Sequence, residues 1–266
     1  LQSTFGLGSS DVFFNRRPEN DTEAVQMIDR MLATQVAYGC MGRLADRAWS
    51  DELAVRSYYM MRELQQLYAM KTPLRTAWWN GEHFVPVSEA IGDGSVTAGR
   101  MYLSYPDELE IWVNGSHDRD WTVKQGEHTW HLPPAGWLAV GSSMFELSAT
   151  VDGARLDVVE TPSFIYYDGR GRRKPFRGVA SSGPISFRLI EDGEAKRIEI
   201  LDLSRSGDFA FGALFGIKQR PLACHRVNAQ RERGEEIPLT DENGFVRIQT
   251  DSTSGSRYIV AFPPGA

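Results

Sequence analysis

Two-residue turn signals divide this chain into two unequal parts. The pair Asn-Gly or Asp-Gly occurs seven times after residue 73 and never before it. The pairs begin at Asn80, Asp93, Asn114, Asp152, Asp168, Asp192 and Asn243. Because these residues readily adopt the positive φ angles of tight turns, the part of the chain after residue 73 is predicted to reverse direction many times over short distances.

Short runs rich in β-branched and aromatic residues lie between these turns. Ten of them are GRMYLSY, LEIWVN, WTVK, GWLAV, RLDVVE, SFIYYD, ISFRLI, KRIEILDL, GFVRIQT and RYIVAFP. Repeated short strands with intervening turns are typical of an antiparallel sandwich or barrel. We therefore predict an all-β region over residues 73–266, an antiparallel β-sandwich with room for two sub-domains. A helix longer than about three turns after residue 80 would contradict this prediction.

The first 72 residues have a different pattern. Asn20 or Asp21 can cap a helix over 21–33, in which apolar residues recur at helical spacing. Ser50 can cap a second helix over 50–70, which carries a second apolar stripe and is followed by a proline. Two helices are therefore predicted before the all-β region.

Each helix is preceded by a candidate strand, SSDVFF at 9–14 and TQVAYG at 34–39. The order strand, loop, helix, repeated once, predicts two β/α units with parallel strands and helices packed outside them. Two such units do not close a parallel sheet. Either the helices lie directly on the sandwich, or residues 1–72 are the last units of an α/β barrel whose earlier part is absent.

Composition and charge exclude several classes of protein. With 41% hydrophobic and 24% charged residues, the chain is predicted to fold. The net charge of −6 argues against nucleic acid or an anionic membrane surface as the main partner. No apolar run approaches the length of a bilayer span.

The cysteines and histidines do not predict a metal or cofactor site. Cys40 and Cys224 are expected to be two unrelated buried thiols, with a single bridge between them as the alternative. His128 and His131 are three residues apart in a predicted strand, which places them on opposite faces. We therefore predict no metal and no cofactor.

Five strings of this sequence together resemble a known arrangement. Before residue 73 they are GLGSSDVFFNRRPEN, ATQVAYGCMGRL and RSYYMMRELQQLYA, and after it they are ELEIWVNGSHDRDWTV and LPPAGWLAV. They resemble the C-terminal end of a large glycoside hydrolase, in which the last two units of a TIM-type (β/α)8 barrel are followed by a β-sandwich. The resemblance implies domains at 1–72 and 73–266, the second being structural or accessory.

The resemblance also implies an activity. It points to an enzyme acting on oligo- or polysaccharides, with its site at the C-terminal ends of barrel strands. Such enzymes use two carboxylic residues, often on middle strands, so we expect the catalytic pair to lie upstream of this chain. The chain alone is then expected to hydrolyse no glycoside. A secreted or periplasmic location follows from the same resemblance.

The loop predicted after TQVAYG, CMGRLADRAWSD at 40–51, carries the main candidate residues. Asp46, a weak catalytic candidate, lies beside Arg43 and Arg47. Arginines so close would keep the carboxylate ionised, which suits binding a sugar hydroxyl better than donating a proton. Tyr38 and Trp49 flank this loop, where an aromatic ring can stack on a sugar. The alternative for Asp46 is a surface salt-bridge cluster. The alternative for Tyr38 and Trp49 is ordinary packing at the rim of the barrel.

Arg16, in the predicted loop NRRPEN at 15–20, and Asp11, next to the strand residues VFF, are further candidate substrate-binding residues. A loop cap is the alternative role for Asp11. Carbohydrate is thus the predicted partner.

Four tryptophans of the all-β region distinguish two hypotheses. Each of them, Trp112, Trp121, Trp130 and Trp137, has β-branched or leucine neighbours, as core positions do. We predict that Trp112 and Trp137 are mostly buried. The alternative is a non-catalytic β-sandwich module, for carbohydrate binding or assembly, with a helical N-terminal extension. That module would expose several of these rings on one face.

Overall fold

The structure is a computed structural model that describes residues 18–42, 44, 50–192, 195–204, 208–249 and 256–263. Within this part the chain is mostly antiparallel strand with few helices. Contacts divide it into two compact units, Leu1–Arg155 and Leu156–Ala266. The predicted boundary near residue 73 coincides with the change from helix to strand; as a domain boundary it stays a prediction.

Both predicted helices are present in the first unit. Helix α1 spans Asp21–Ala37, α2 spans Asp51–Arg62, and a short α3, Leu64–Tyr68, continues from α2. The caps are those expected from the sequence. The Asn20 side chain accepts the backbone N–H of Glu23, and the Ser50 hydroxyl accepts that of Leu53. Local capping chemistry therefore sets where both helices begin.

The strand predicted at 34–39 is wrong, because Thr34–Ala37 form the last turn of α1. Val36 continues the buried helical stripe of Ile28 and Leu32 at a spacing of four. The helix stops just before Gly39, whose φ of 60° suits a glycine after a helix end. The second predicted β/α unit therefore lacks its strand. The other strand candidate, at 9–14, lies outside the described residues.

Eight strands follow in the first unit. They are β1 Arg75–Trp79, β2 Phe84–Val85, β3 Arg100–Ser104, β4 Glu110–Asn114, β5 Trp121–Gln125, β6 His128–Leu132, β7 Gly136–Gly141 and β8 Met144–Val151. Their order is β2-β1-β3-β4-β7-β8, all antiparallel, with β6 paired to both β8 and β5. Strand β9, Ala154–Glu160, crosses the division between the units.

A short helix between β2 and β3 was not expected from the sequence. Helix α4 spans Val87–Asp93, and a 3-10 turn follows at Ser95–Ala98. Gly94, with a φ of 79°, caps the end of α4. The Asp93-Gly94 pair thus ends a helix instead of turning a hairpin. At seven residues α4 is shorter than three turns, so the prediction for the all-β region is not contradicted.

The pairing register gives the first-unit sheet two distinct faces. Met101, Val113 and Trp137 are partners in successive strands and share what we call the helix face. Tyr102 and Trp112 belong to the adjacent row, on what we call the aromatic face. Helix α1 packs against β3, β4 and β7. It lies over the helix face, because its residue Asp29 and the Trp137 partner Ser148 both contact Arg155.

The tryptophan prediction is confirmed, and the two rings in question lie on opposite faces. Trp137 is completely buried, and Trp112 is 6% exposed. Trp121 is also buried, whereas Trp130 is half-buried. The rings do not form an open, flat platform for a glycan.

The second unit contains two antiparallel sheets. Its strands are β10 Phe164–Asp168, β11 Lys174–Phe176, β12 Val179–Ser181, β13 Ile185–Asp192, β14 Ala195–Asp202, β15 Asp208–Phe211, β16 Ala223–Val227, β17 Arg233–Glu236, β18 Leu239–Glu242, β19 Phe245–Gln249 and β20 Ser256–Ala261. One sheet has the order β9-β10-β13-β14-β20-β16-β17, and the other has the order β11-β12-β15-β19-β18.

Aromatic side chains pack between the two sheets of the second unit. The Phe187 ring of β13 lies 6.4 Å from that of Phe209 and 5.9 Å from that of Phe211, both on β15. All three are buried, so this packing fits the predicted sandwich. The Asn243-Gly244 pair turns the β18–β19 hairpin with positive φ at both residues, as the sequence predicts.

Both thiols are free and buried, which confirms the prediction for Cys40 and Cys224. Burial raises the pKa of the Cys224 thiol to about 12, so its thiolate fraction at pH 8 is on the order of 10⁻⁴. We expect a thiol-specific disulfide reagent to modify the native protein very slowly and to titrate two thiols per chain after unfolding without reductant. Rapid modification of the native protein, or loss of titratable thiol after unfolding, would contradict this assignment.

Candidate functional site

Tyr38 is the one predicted site residue within the described part of the chain. Asp11, Arg16, Arg43, Asp46 and Trp49 lie outside the described residues. Their roles and their proximity to one another therefore stay predictions.

The end of helix α1 holds Tyr38 at the surface. The backbone N–H of Tyr38 donates to the Thr34 carbonyl at 3.1 Å, and that of Gly39 donates to the Val36 carbonyl. These bonds close the last turn and fix the backbone that carries the ring. The Tyr38 side chain nevertheless remains 50% exposed. A half-exposed aromatic ring on a fixed backbone is suited to contact a ligand with little loss of conformational entropy.

An open cleft of about 570 Å³ lies beside Tyr38. We call it the Tyr38 cleft. Its described lining includes the rings of Tyr38, Trp78 and Tyr105 and the hydroxyl-bearing side chains of Thr72 and Thr76. The other lining residues in the described part are apolar, and no described lining residue is charged.

Strand register places the floor of the cleft on the helix face of the first-unit sheet. Trp78 is paired with Met101, and Thr76 is paired with Leu103. Paired residues share a face, so these four side chains lie on the face over which α1 packs. Val87, at the start of α4, also lines the cleft and is 46% exposed. The end of α1, the start of α4 and the paired strands β1 and β3 therefore form the walls of this cleft.

The chemistry of the Tyr38 cleft is that of a binding site. Its volume falls within the range of small-molecule sites. Aromatic rings can contact the apolar face of a pyranose, while the threonine and tyrosine hydroxyls can exchange hydrogen bonds with its hydroxyl groups. The described lining has no carboxylate, thiol or imidazole, so these residues themselves offer no general acid or nucleophile for hydrolysis.

The segment that follows Tyr38 is hydrogen-bonded to helix α3. The Tyr68 hydroxyl donates to the Cys40 carbonyl at 2.8 Å, and the Gly42 N–H donates to Gln65 Oε1 at 2.8 Å. A Cβ atom at Gly42 would lie 2.5 Å from the Met61 Cβ, so this close approach requires glycine. Burial raises the pKa of Tyr68 well above its ordinary value, so its hydroxyl stays protonated and able to donate.

A buried ion-pair network holds the helix layer to the sheet. Asp29 of α1 contacts Arg56 of α2 at 2.7 Å and Arg155 at 3.0 Å. Arg155 also donates to the carbonyls of Pro134 and Ala135, in the connection between β6 and β7. Pro133 and Pro134 thus lie in the connection between two strands. The network is a structural support for the helix face, on which the Tyr38 cleft lies.

No group of three or more His, Cys, Asp or Glu residues in the described part of the chain could hold a metal ion. No helix in the described ranges is both long and apolar enough to cross a membrane.

Sequence reasoning selected Tyr38 but missed Trp78 and Thr76. The available signal was the alternation in RTAWW, which puts Thr76 and Trp78 on one face of a strand. That signal did not reveal that the end of α1 lies beside this strand.

Comparison with known protein families and with curated proteins gives no match for this sequence.

Proposed function

We propose that this chain is the C-terminal portion of a glycoside hydrolase acting on oligo- or polysaccharides, and that the Tyr38 cleft binds part of the saccharide. The five strings that resemble the end of such an enzyme support the first part of the proposal. The second part is carried by one observation: a half-exposed tyrosine and a tryptophan line an uncharged cleft that also offers threonine hydroxyls.

The lining of the cleft favours a neutral sugar. A pyranose has an apolar face, which aromatic rings cover, and a rim of hydroxyl groups, which need hydrogen-bond partners once water is displaced. Tyr38 and Trp78 meet the first need, and Thr72 and Thr76 meet the second. Because no lining residue in the described part is charged, there is no counter-ion for a charged sugar at this position.

In this proposal the architecture is the end of a TIM-type barrel followed by a β-sandwich. Helices α1 and α2 are the two helices that the resemblance implies before the sandwich. The two-sheet packing of the second unit fits the sandwich that follows. The stretch 34–39 is not a barrel strand in this proposal, because its first four residues belong to α1.

The segment between Gly42 and Ser50 is proposed to supply further sugar contacts. Its two ends are fixed in the structure, by the Gly42 hydrogen bond on one side and by the Ser50 cap of α2 on the other. Between them the sequence carries Arg43, Asp46 and Trp49. We place the catalytic carboxylate pair elsewhere in the enzyme, and keep Asp46 as a weak catalytic candidate.

We expect Tyr38→Ala to weaken binding of the preferred polysaccharide at least about tenfold, because the stacking ring is lost. Retardation in gels that contain a panel of soluble neutral polysaccharides would measure this. The free energy of unfolding should change by less than about 1 kcal/mol, since the ring is half-exposed. No polysaccharide of the panel should be hydrolysed.

Tyr58→Ala is a matched control, because Tyr58 is 45% exposed on α2 and does not line the cleft. It should bind the polysaccharide like the wild type. Equal losses in the two variants, or no retardation of the wild type by any polysaccharide, would overturn the proposed binding site. Robust hydrolysis that Asp46→Ala abolishes would show that Asp46 is catalytic and that the chain is an enzyme by itself.

A further inference from the structure

A second cavity lies on the aromatic face of the first-unit sheet, away from the face that carries the Tyr38 cleft. It has a volume of about 390 Å³, and its described lining consists of Trp79, Phe84, Trp112, Trp121, Thr122, Val123 and Lys124. We call it the aromatic pocket. Strands β1 and β2, the centre of β4 and most of β5 supply these residues.

The aromatic rings of the pocket bring β2 close to β5. The Phe84 ring of β2 lies 6.2 Å from the Trp121 ring of β5 and 5.1 Å from that of Trp79. Tyr102 packs beside them, 5.3 Å from Phe84 and 5.3 Å from Trp112. In the described structure β2 and β5 are nevertheless not paired with each other. The pocket therefore lies between two strands that are near neighbours but share no ladder of backbone hydrogen bonds.

The hairpin of β5 and β6 leaves one backbone edge of β5 unpaired. A two-residue turn at 126–127 joins the strands, and Gln125 is paired with His128 across it. In such a hairpin the two residues that flank the turn exchange backbone hydrogen bonds, and every second pair does so after them. The N–H and C=O groups of Thr122 and Lys124 therefore point away from β6. No backbone hydrogen bond from another described residue reaches them there.

The side chains of β5 alternate between the pocket and the opposite, outer face. Trp121 and Val123 are buried, whereas Thr122 and Lys124 are exposed. The Thr122 hydroxyl lies 3.3 Å from His131 Nδ1 on the outer face. Because Thr122 and Lys124 line the pocket although their side chains point away from it, their free backbone edge borders the pocket. An extended peptide can add to such an edge as a further strand and place alternate side chains in a neighbouring cavity.

Lys124 restricts which peptide can add to this edge. Its ammonium group is exposed and forms no ion pair with any residue in the described ranges. The peptide residue opposite Lys124 would lie on the same outer face, where an acidic side chain is favourable and a basic one is unfavourable. Two copies of β5 paired edge to edge would bring two lysines to one face, which opposes such pairing. Charge therefore favours an acidic peptide over a second copy of the chain.

We propose that the unpaired edge of β5 binds an extended peptide in which an acidic residue stands between two apolar residues. The acidic side chain lies opposite Lys124 on the outer face. Its two neighbours in the peptide point to the aromatic face, where apolar side chains can enter the aromatic pocket. Backbone hydrogen bonds to Thr122 and Lys124 supply affinity, and the pocket supplies specificity. This inference does not depend on the glycoside hydrolase proposal.

Fluorescence anisotropy of a labelled heptapeptide, Gly-Thr-Phe-Glu-Phe-Thr-Gly, tests the proposal. Its sequence reads the same in both directions, so it can present Glu to Lys124 in either strand orientation. We expect saturable binding to the whole 266-residue chain. Serine in place of both phenylalanines should weaken binding at least about tenfold, because the contacts in the pocket are lost. N-methylation of the three central residues should abolish binding, because it removes backbone hydrogen-bond donors.

Two protein variants test the charge contact. Lys124→Glu should weaken binding of the Glu peptide about fivefold or more, because like charges then stand opposite each other. The same variant should bind more tightly than the wild type to a peptide with Lys in place of Glu. Lys218→Glu is the matched control, since it makes the same change of charge at an exposed lysine outside β5. It should bind both peptides like the wild type.

No change in anisotropy with folded wild type at about 1 mM protein would overturn the proposal. Equal binding of the N-methylated or the serine-substituted peptide would contradict it too, as would equal affinities of the Lys124→Glu and Lys218→Glu variants. Sedimentation of the wild type covers the remaining occupant. A dimer that the peptide dissociates would assign the edge of β5 to a second copy of the chain and overturn the peptide as its partner.

Discussion

Replacing Trp137 with alanine should lower the free energy of unfolding by about 3–5 kcal/mol, because the substitution opens a large cavity in the helix face. Trp137 is completely buried, and its N–H donates to the buried carboxylate of Glu146 at 2.8 Å. The variant therefore also leaves a buried acceptor without that donor. Urea unfolding, followed by circular dichroism, would measure the loss, which is a large share of the stability of a typical domain.

Two further variants serve as comparisons for Trp137→Ala, one at an exposed residue and one at a second buried tryptophan. Ile91→Ala removes a side chain that is 64% exposed on α4 and should stay within about 0.5 kcal/mol of the wild type. Trp112→Ala, on the opposite face of the sheet, should cost about 3–5 kcal/mol for the same reason as Trp137→Ala. If Trp137→Ala or Trp112→Ala melted like the wild type and lost only glycan binding, the assignment of these rings to the core would be refuted.

Asp29→Ala should be destabilising by about 3–5 kcal/mol, because it removes the shared partner of two arginines. Asp29 is 4% exposed and Arg56 is 3% exposed, so the Arg56 charge would remain buried opposite a methyl group. Arg155 would lose the contact that ties α1 to the connection after β6. Urea unfolding of the variant measures this loss.

A surface ion pair provides the comparison for Asp29→Ala. Lys71 and Asp107 are 2.8 Å apart, with side chains that are 33% and 72% exposed. Lys71→Ala should therefore change the free energy of unfolding by less than about 1 kcal/mol. Should Asp29→Ala prove as mild as Lys71→Ala, the network would not be the support of the helix layer that we describe.

Features coded by a few neighbouring residues could be predicted from the sequence. The hairpin at Asn243-Gly244 and the start of α1 at Asn20 each depend on the conformation or hydrogen bonding of one or two residues. All ten β-rich runs contain a strand of the structure. Alternation beside a turn signal predicts a strand whatever its partner is, because the pattern depends only on which side is buried.

The errors fall where a short pattern fits two structures. TQVAYG has the composition of a short buried strand, yet it also continues the stripe of Ile28 and Leu32 in register. Length and context decide such cases, since propensity alone is weak. Likewise Asp93-Gly94 looks like a hairpin turn but ends α4, because a glycine with positive φ serves both purposes.

The candidate sites show a similar limit. Tyr38 could be selected from its place beside a glycine-bounded loop, but the cleft exists only because β1 and β3 pair in a particular register beside the end of α1. Trp79 and Trp121 are far apart in the sequence, yet both rings pack on Phe84. The sequence does not predict this contact.

Residue-resolved mapping of a bound saccharide tests the central claim most directly. In ¹H–¹⁵N spectra of the labelled chain, the preferred neutral oligosaccharide should shift amide signals at Tyr38, within 72–78 and within 101–105. The Tyr38→Ala variant should need at least about ten times more saccharide for the same shifts. Signals of β5 should stay in place with the saccharide. Saccharide-induced shifts confined to any other part of the chain, or none at saturating saccharide, would contradict the assignment of the Tyr38 cleft as a sugar-binding site.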